Sequence, residues 1–288
     1  MQKGGKAKSI RRPQRQKSPG LEMKMSPVPE TEPIEKPRGK LFGKVALITG
    51  GDSGIGKAVA LLFAKEGADV AISYLSEHAD ARVTKEEIES RFGQTCLLIP
   101  GDISREAQCK KIVTQTIKKF GKIDVLVNNA ATHVEQEKLE DISSKQLIHI
   151  FSVNIFSFFR ITQNALPFMK AGSSIINTTS VTAYRGSGHL IDYAASKGAI
   201  VSFTRSLSAN LAKRKIRVNA VAPGPIWTPL IPSTFKPKKV AKHGSDVPME
   251  RAGEPSEVAP SFLFLASDDG SYFTGQVLHP NGGEIVNG

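Results

Sequence analysis

The stretch KVALITGGDSGIGKAVALLFAKEGADVAISYL, residues 44–75, leaves the chain few ways to fold. From Lys44 to Thr49 the side chains are almost continuously apolar and β-favouring, the pattern of a strand covered on both faces. The run stops at four glycines in seven residues, Gly50, Gly51, Gly54 and Gly56. Beyond them Ile55, Val59, Leu62 and Phe63 recur three and four apart, which is helical spacing. Asp69 to Leu75 then reads as a second strand. Strand, glycine turn, helix and strand in about thirty residues make a βαβ unit. Such a turn lets the backbone approach a pyrophosphate and aims the free N–H groups of the next helix at it.

The rhythm continues. Strand-like runs fall at 44–49, 69–75, 95–100, 123–128, 173–179, 216–222 and 276–279. Helical segments at 54–66, 78–92, 104–120, 143–170, 192–213 and 256–267 lie between most of them, and Gly67, Gly93 and Gly121 stand at stop positions. This alternation predicts one α/β domain over 41–288, a Rossmann-type doubly wound fold on a seven-stranded parallel sheet with right-handed crossovers. Segment 145–170 is apolar nearly all round and is expected to be sandwiched between layers, with subunit-interface burial as a further use. The irregular, proline-containing stretch 224–250 sits where such a sheet places its ligand cover.

Charge needs mapping before it is interpreted. The net charge is +12, but residues 1–20 hold seven basic residues and no acid, and residues 21–40 balance, so the body carries only +5. Residues 1–40 also hold six of the seventeen prolines and too few apolar positions to offset the entropy of ordering. They predict a disordered or draped basic arm, either a solvated tail or a docking arm on a neighbouring subunit or acidic partner. The arm lacks aromatic interleaving, so nucleic acid is not the expected partner. It also lacks a signal-peptide core, and no apolar run is long enough to span a bilayer. Cys96 and Cys109 have no metal or disulfide spacing and read as reduced thiols in a cytoplasmic chain. The six histidines form no i, i+4 pair, so no metal site is expected.

Tyr193 and Lys197, in DYAASKGAI, stand four apart on a predicted helix and share a face. A phenol with a pKa of about 10 is a poor acid-base group at neutral pH, and a nearby ammonium is expected to lower it toward the working range. IINTTS precedes them, a buried strand whose carboxyl end carries Ser180 toward the crevice of the glycine turn.

With these residues in place, 41–288 resembles the short-chain dehydrogenase/reductase family. Thr49-Gly50, Gly54 and Gly56 match its cofactor turn, where Asp52, Ser53 and Ile55 would also touch the nucleotide. Tyr74 and Leu75 end the second strand at the ribose position, and Asp102 with Ile103 matches the adenine position. NNAA, Asn128 to Ala131, resembles the family's Asn-Asn-Ala-Gly, placing Asn129 and Ala130 beside the adenosine and putting a Cβ at Ala131 where the family has glycine. Pro223, Gly224, Ile226 and Thr228 match the stretch bordering the nicotinamide. Asn154, Ser180, Tyr193 and Lys197 match the catalytic tetrad. The resemblance implies hydride transfer between NAD(P) and an alcohol or carbonyl substrate (sugar, polyol, ketone or aldehyde). Tyr193 would move the proton, Ser180 would bind the carbonyl oxygen, Lys197 would hold the ribose and tune Tyr193, and Asn154 would position a water. A homotetramer is the family expectation. SPVPE in the arm, ITGGDSGIG and the YL after the second strand further resemble the glucose- and ribitol-dehydrogenase-like general stress proteins.

NAD is expected over NADP, because the turn carries Asp52 and Ser53 with no cation before Gly54, and Tyr74-Leu75-Ser76-Glu77 supplies none either. Lys57 or Arg82 would reverse the preference by swinging in. His189 is either a loop residue or a pocket wall, and Trp227 with Lys236, Lys238 and Lys239 either forms a lid or stays solvated. The competing reading is a nucleotide-binding regulator without catalysis, which would have no need of Tyr193 paired with Lys197.

Overall fold

The computed structural model describes residues 39–285. The basic arm expected over residues 1–40 lies almost wholly outside them.

Seven parallel strands form one sheet: β1 (Val45–Thr49), β2 (Asp69–Tyr74), β3 (Cys96–Pro100), β4 (Val125–Asn128), β5 (Ser174–Thr178), β6 (Arg217–Val221) and β7 (Val277–Leu278). Their spatial order is β3-β2-β1-β4-β5-β6-β7. The chain therefore reverses its winding beside β1, where β2 pairs on one side and β4 on the other. In doubly wound sheets that switch point is the ligand crevice.

The helices are α1 (Gly54–Lys65), α2 (His78–Phe92), α3 (Glu106–Phe120), α4 (Ser144–Phe151), α5 (Ser157–Ala165), α6 (Thr182–Arg185), α7 (Ile191–Leu211), α8 (Leu230–Thr234), α9 (Pro237–Val240) and α10 (Pro255–Ala266). α2 and α3 end where left-handed Gly93 and Gly121 cap them. Alternate side chains of each strand enter opposite layers. Ile48 and Ile72 meet Phe63 of α1 and Phe262 of α10 on one face, while Leu47 and Leu126 meet Ile112 of α3 and Ile161 of α5 on the other. Burial of each such side chain contributes roughly 1.5–3 kcal/mol.

The expected sandwich at 145–170 is corrected. α4 and α5 are joined by one π-helical turn, Ser152–Phe156. The inner face buries Ile150, Ile155, Phe158 and Ile161, but Ile148, Phe156 and Phe159 remain 62%, 44% and 44% exposed. Within one chain α3, α7 and the sheet cover the inner side of this segment, and Ile148, Phe156 and Phe159 face outward.

Three polar side chains tie the strands where the site is built. Asn128 Nδ2 donates to Asn177 Oδ1 at 2.9 Å and to Thr162 Oγ1 at 3.2 Å, and Asn177 Nδ2 donates to Thr204 Oγ1 at 2.9 Å. Thr49 Oγ1 accepts from the backbone N–H groups of Asn129 and Ala130 at 2.9 and 3.0 Å. These bonds fix the ends of β1, β4 and β5 in register.

Candidate active site

A cleft of about 1130 Å³ opens above the carboxyl ends of the strands. At one end is the glycine turn. Ser53 makes no side-chain bond to the first turn of α1, and no acid lies in that turn, so the helix's leading N–H groups are free to meet an anion. Gly54 holds a φ of +52°, and a Cβ there would come within 3.1 Å of Thr228. A Cβ on Gly224 would come within 2.7 Å of Asn281. The backbone path thus depends on bare glycine on both sides of the cleft. These features fit a dinucleotide.

Gly50, Asp52, Ser53, Gly54 and Ile55 line the cleft from the turn, and Tyr74 and Leu75 from the end of β2. Asp102 and Ile103 follow β3, Asn129 and Ala130 follow β4, and Pro223, Gly224, Ile226 and Thr228 close the far side. Gly56 does not line the cleft but sits behind the turn, where a Cβ would stand 1.8 Å from the Gly50 carbonyl oxygen. Ala131 takes its place on the wall, and among the described residues the non-glycine ones with positive φ are Lys215 and Glu250, so its Cβ is tolerated. Asn129 Nδ2 donates to the Thr49 and Gly50 carbonyls at 3.0 and 3.3 Å, and its Oδ1 accepts from Thr178 Oγ1 at 3.2 Å.

The nucleotide end is acidic. Asp52, Glu77 and Asp80 all line it. Burial, reinforced by the Glu77 and Asp80 charges, raises the Asp52 carboxyl above its ordinary value despite a hydrogen bond from Ser53. Burial alone would raise Asp102 as well, but bonds from Ser104 and the charges of Arg105 and His149 hold it low. Lys57 is engaged with Glu87 at 2.6 Å, and Arg82 acts on Tyr74 without lining the cleft.

At the other end Ser180, Tyr193 and Lys197 share one wall. Ser180 Oγ accepts from the Thr182 N–H at 3.1 Å and from Thr182 Oγ1 at 3.0 Å, and its own hydroxyl hydrogen-bonds the Tyr193 phenol oxygen. Lys197 Nζ donates to the Thr178 carbonyl at 2.8 Å and lies 5.4 Å from the Tyr193 ring centre. The expected lowering of the phenol is not observed. Burial pushes Tyr193 up to about 12 against the Ser180 bond, and burial pushes Lys197 down to about 7. Desolvation sets the direction at both groups.

Asn154 is fully buried in the π-helical turn and does not line the cleft. Its Oδ1 accepts from the Thr132 N–H, and its Nδ2 donates to the Thr132 carbonyl, both at 2.9 Å. Nδ2 also donates to Ser196 Oγ at 3.1 Å, and that hydroxyl in turn donates to the Tyr193 carbonyl. Both amide hydrogens are engaged with protein atoms. His189 is exposed at the rim of the cleft. Trp227 is 47% exposed and off the cleft, whereas Lys239 lines it and pairs with Glu135.

Sequence reasoning missed His133 and His243, which also line this end. His133 is 4% exposed, with its ring 5.3 Å from Tyr193 and 5.0 Å from Phe235. The available signal was position: His133 follows the Asn-Asn-Ala-Ala turn by two residues.

A parallel doubly wound sheet with a nucleotide-shaped turn and a Tyr-Lys-Ser wall over one cleft defines an oxidoreductase of the nicotinamide class. Residues 50–284 match the family model described as enoyl-(acyl carrier protein) reductase. The chain is 53% identical over 276 residues to NADPH-dependent aldehyde reductase 1, chloroplastic, of Arabidopsis thaliana, covering 93% of this chain and 96% of that one. It is 52% identical over 283 residues to glucose and ribitol dehydrogenase of Daucus carota, covering 96% and 97%. A crystal structure of a short-chain dehydrogenase from Burkholderia cenocepacia in complex with NADP superimposes with a TM-score of 0.79 at 31% identity, covering 85% and 99%. The chain belongs to the short-chain dehydrogenase/reductase family and is an NAD(P)-dependent oxidoreductase acting on carbonyl or alcohol substrates.

Proposed function

We propose that the protein reduces a carbonyl substrate with Tyr193 as proton donor, Ser180 as the hydrogen-bond partner of the carbonyl oxygen and Lys197 as the group that holds the nucleotide ribose. The observation that carries this reading is the joining of Tyr193, Ser180 and Lys197 on one cleft wall opposite the glycine turn. A nicotinamide nucleotide held by the glycine turn and Lys197 would supply the hydride for the carbonyl carbon. Tyr193 releases its O–H proton to the carbonyl oxygen, completing the alcohol, and regains a proton from water. A phenol that holds its proton up to about 12 is fully loaded for this direction at neutral pH. Asn154 acts as a positioning residue, through Thr132 on one side and Ser196 on the other.

Tyr193→Phe tests the assignment. It keeps the ring and removes the proton, so kcat should fall by roughly 10²–10⁴-fold with nucleotide affinity nearly unchanged. Near wild-type turnover by this variant would end the assignment.

NAD should be preferred over NADP by about tenfold, because a 2′-phosphate would meet Asp52, Glu77 and Asp80. Of the similar proteins, the Arabidopsis enzyme is NADPH-dependent and the Burkholderia enzyme was crystallised in complex with NADP. The ratio of kcat/KM with the two nucleotides decides between them, and an NADP preference would show that a cation, Lys57 or Arg82, swings in to the phosphate. The outward ridge of Ile148, Phe156 and Phe159 supports a homotetramer, and the buried free thiols Cys96 and Cys109 support a reducing, cytoplasmic location.

A further inference from the structure

The substrate end holds two ring nitrogens whose protonation is fixed by their neighbours. Thr234 Oγ1 donates its only hydrogen to the Leu230 carbonyl at 2.5 Å. It stands 3.0 Å from His133 Nε2, so at that contact it can only accept, and Nε2 must carry the ring proton. Nδ1 of His133 is then a bare acceptor. It is buried and has no partner. Desolvation, helped by the Lys197 charge, pushes this ring down to about 4, so it stays neutral in the working range.

His243 repeats the arrangement across Phe235, to which its ring lies at 6.3 Å. The ring is hydrogen-bonded to the Ile226 backbone, and its Nε2 is again buried without a partner. An acceptor nitrogen left dry and unpaired costs roughly 1–3 kcal/mol, which a ligand donor recovers. The segment carrying His133 is tied down on both sides. Asn154 clamps Thr132, while Gln136 bonds to Gln146, which bonds to Asp192 of α7.

We propose that the substrate is a carbonyl compound with a hydroxyl on the carbon next to the reacting centre, that this hydroxyl donates to His133 Nδ1, and that a second hydroxyl donates to His243 Nε2. The proposal rests on the reading that reduction takes place beside Tyr193, 5.3 Å from the His133 ring. It makes His133 a specificity-determining residue that acts by rejecting a substrate lacking the donor.

The test compares kcat/KM for two matched pairs, 3-hydroxybutan-2-one against butan-2-one and 2-hydroxypropanal against propanal. Wild type should prefer the hydroxylated member by roughly 10–100-fold, the factor corresponding to one recovered acceptor. His133→Phe should collapse the ratio to within about threefold, and His133→Gln, which keeps an acceptor oxygen, should restore part of it. Thr234→Val leaves the ring in place but removes the oxygen that fixes its tautomer, and should lower the ratio as well. Nucleotide binding by fluorescence titration verifies that each variant is folded. A wild type indifferent to the hydroxyl, or a folded His133→Phe protein that keeps the preference, overturns the proposal while leaving the reductase reading intact. No turnover of either hydroxylated compound by protein that binds nucleotide also overturns the proposal, whereas the reductase reading stands or falls with Tyr193→Phe.

Discussion

Gly56→Ala should cripple a helix that alanine would ordinarily strengthen. In a helix interior, alanine replaces glycine with a gain of about 1 kcal/mol. Here the new Cβ would stand 1.8 Å from the Gly50 carbonyl oxygen, 2.7 Å from its carbon and 2.8 Å from Asn129 Nδ2. A carbon and an oxygen need roughly 3.3 Å, so the turn and α1 must separate by about 1.5 Å. Neither side yields cheaply, because both are backbone. The turn is tied through Gly50 N–H to the Ser73 carbonyl at 2.7 Å and through Asn129 to the Thr49 and Gly50 carbonyls. Losing two such bonds at about 1 kcal/mol each, plus 1–3 kcal/mol of overpacking, gives roughly 3–5 kcal/mol. At about 2–4 °C per kcal/mol for a domain of this size, the melting temperature should fall on the order of 10 °C. Nucleotide affinity should fall about 10²-fold, since the N–H groups aimed at the pyrophosphate move with the turn. Differential scanning fluorimetry and calorimetric titration with NAD read both quantities. Gly198→Ala is the control, since its Cβ would meet nothing within 4 Å, and it should raise the melting temperature slightly. A Gly56→Ala protein within about 2 °C of wild type and with unchanged affinity would refute the close approach of turn and helix.

Stability in acid should report His133. Its folded-state value of about 4 lies below the ordinary 6.5, so the unfolded chain binds more protons between those values and stability rises with pH across them. Roughly 3 kcal/mol should therefore be lost as the pH falls from 6.5 to 4, and His133→Phe should flatten that part of the melting profile; parallel profiles would contradict the assigned burial. Asn154→Ala removes three hydrogen bonds to Thr132 and Ser196 and should lower kcat more than nucleotide affinity, with the hydroxyl preference weakened alongside. An unchanged kcat would remove its positioning role. Phe156→Glu, on the exposed ridge, should reduce the mass seen by light scattering without unfolding the chain, and an unchanged mass would place assembly elsewhere.

Several strands and helices were legible because a stop signal bounds them. Gly93 and Gly121 end α2 and α3 where the periodicity does, and β1 is bounded by the turn it feeds. The cleft wall was legible because Tyr193 and Lys197 are four residues apart on α7. What failed depended on neighbours distant in sequence. The apolar pattern of 145–170 was read correctly as a need for burial, but the number of covering layers is a tertiary fact, and Ile148 and Phe159 lack the second one. The direction of the Tyr193 shift turned on how deeply two groups are buried, which spacing does not reveal. His133 and His243 sit in irregular segments with no period, so beyond His133's place after the Asn-Asn-Ala-Ala turn nothing local showed that both would line one cavity, or that Thr234, 101 residues away, would set a tautomer.

The joint between Thr49 and Asn129 bears on how the molecule comes together in time. Its bonds close a loop of 80 residues, and the Asn128–Asn177 bond closes another of 49. Contacts so remote are slow to form, because chain entropy is lost before the bond rewards it. The cleft should therefore take shape late in folding, when β1 and β4 pair. A nucleotide finds nothing to bind before that point. It should act as a brake on unfolding rather than as a template for folding, lengthening the lifetime of the finished molecule while leaving the speed of its assembly unchanged.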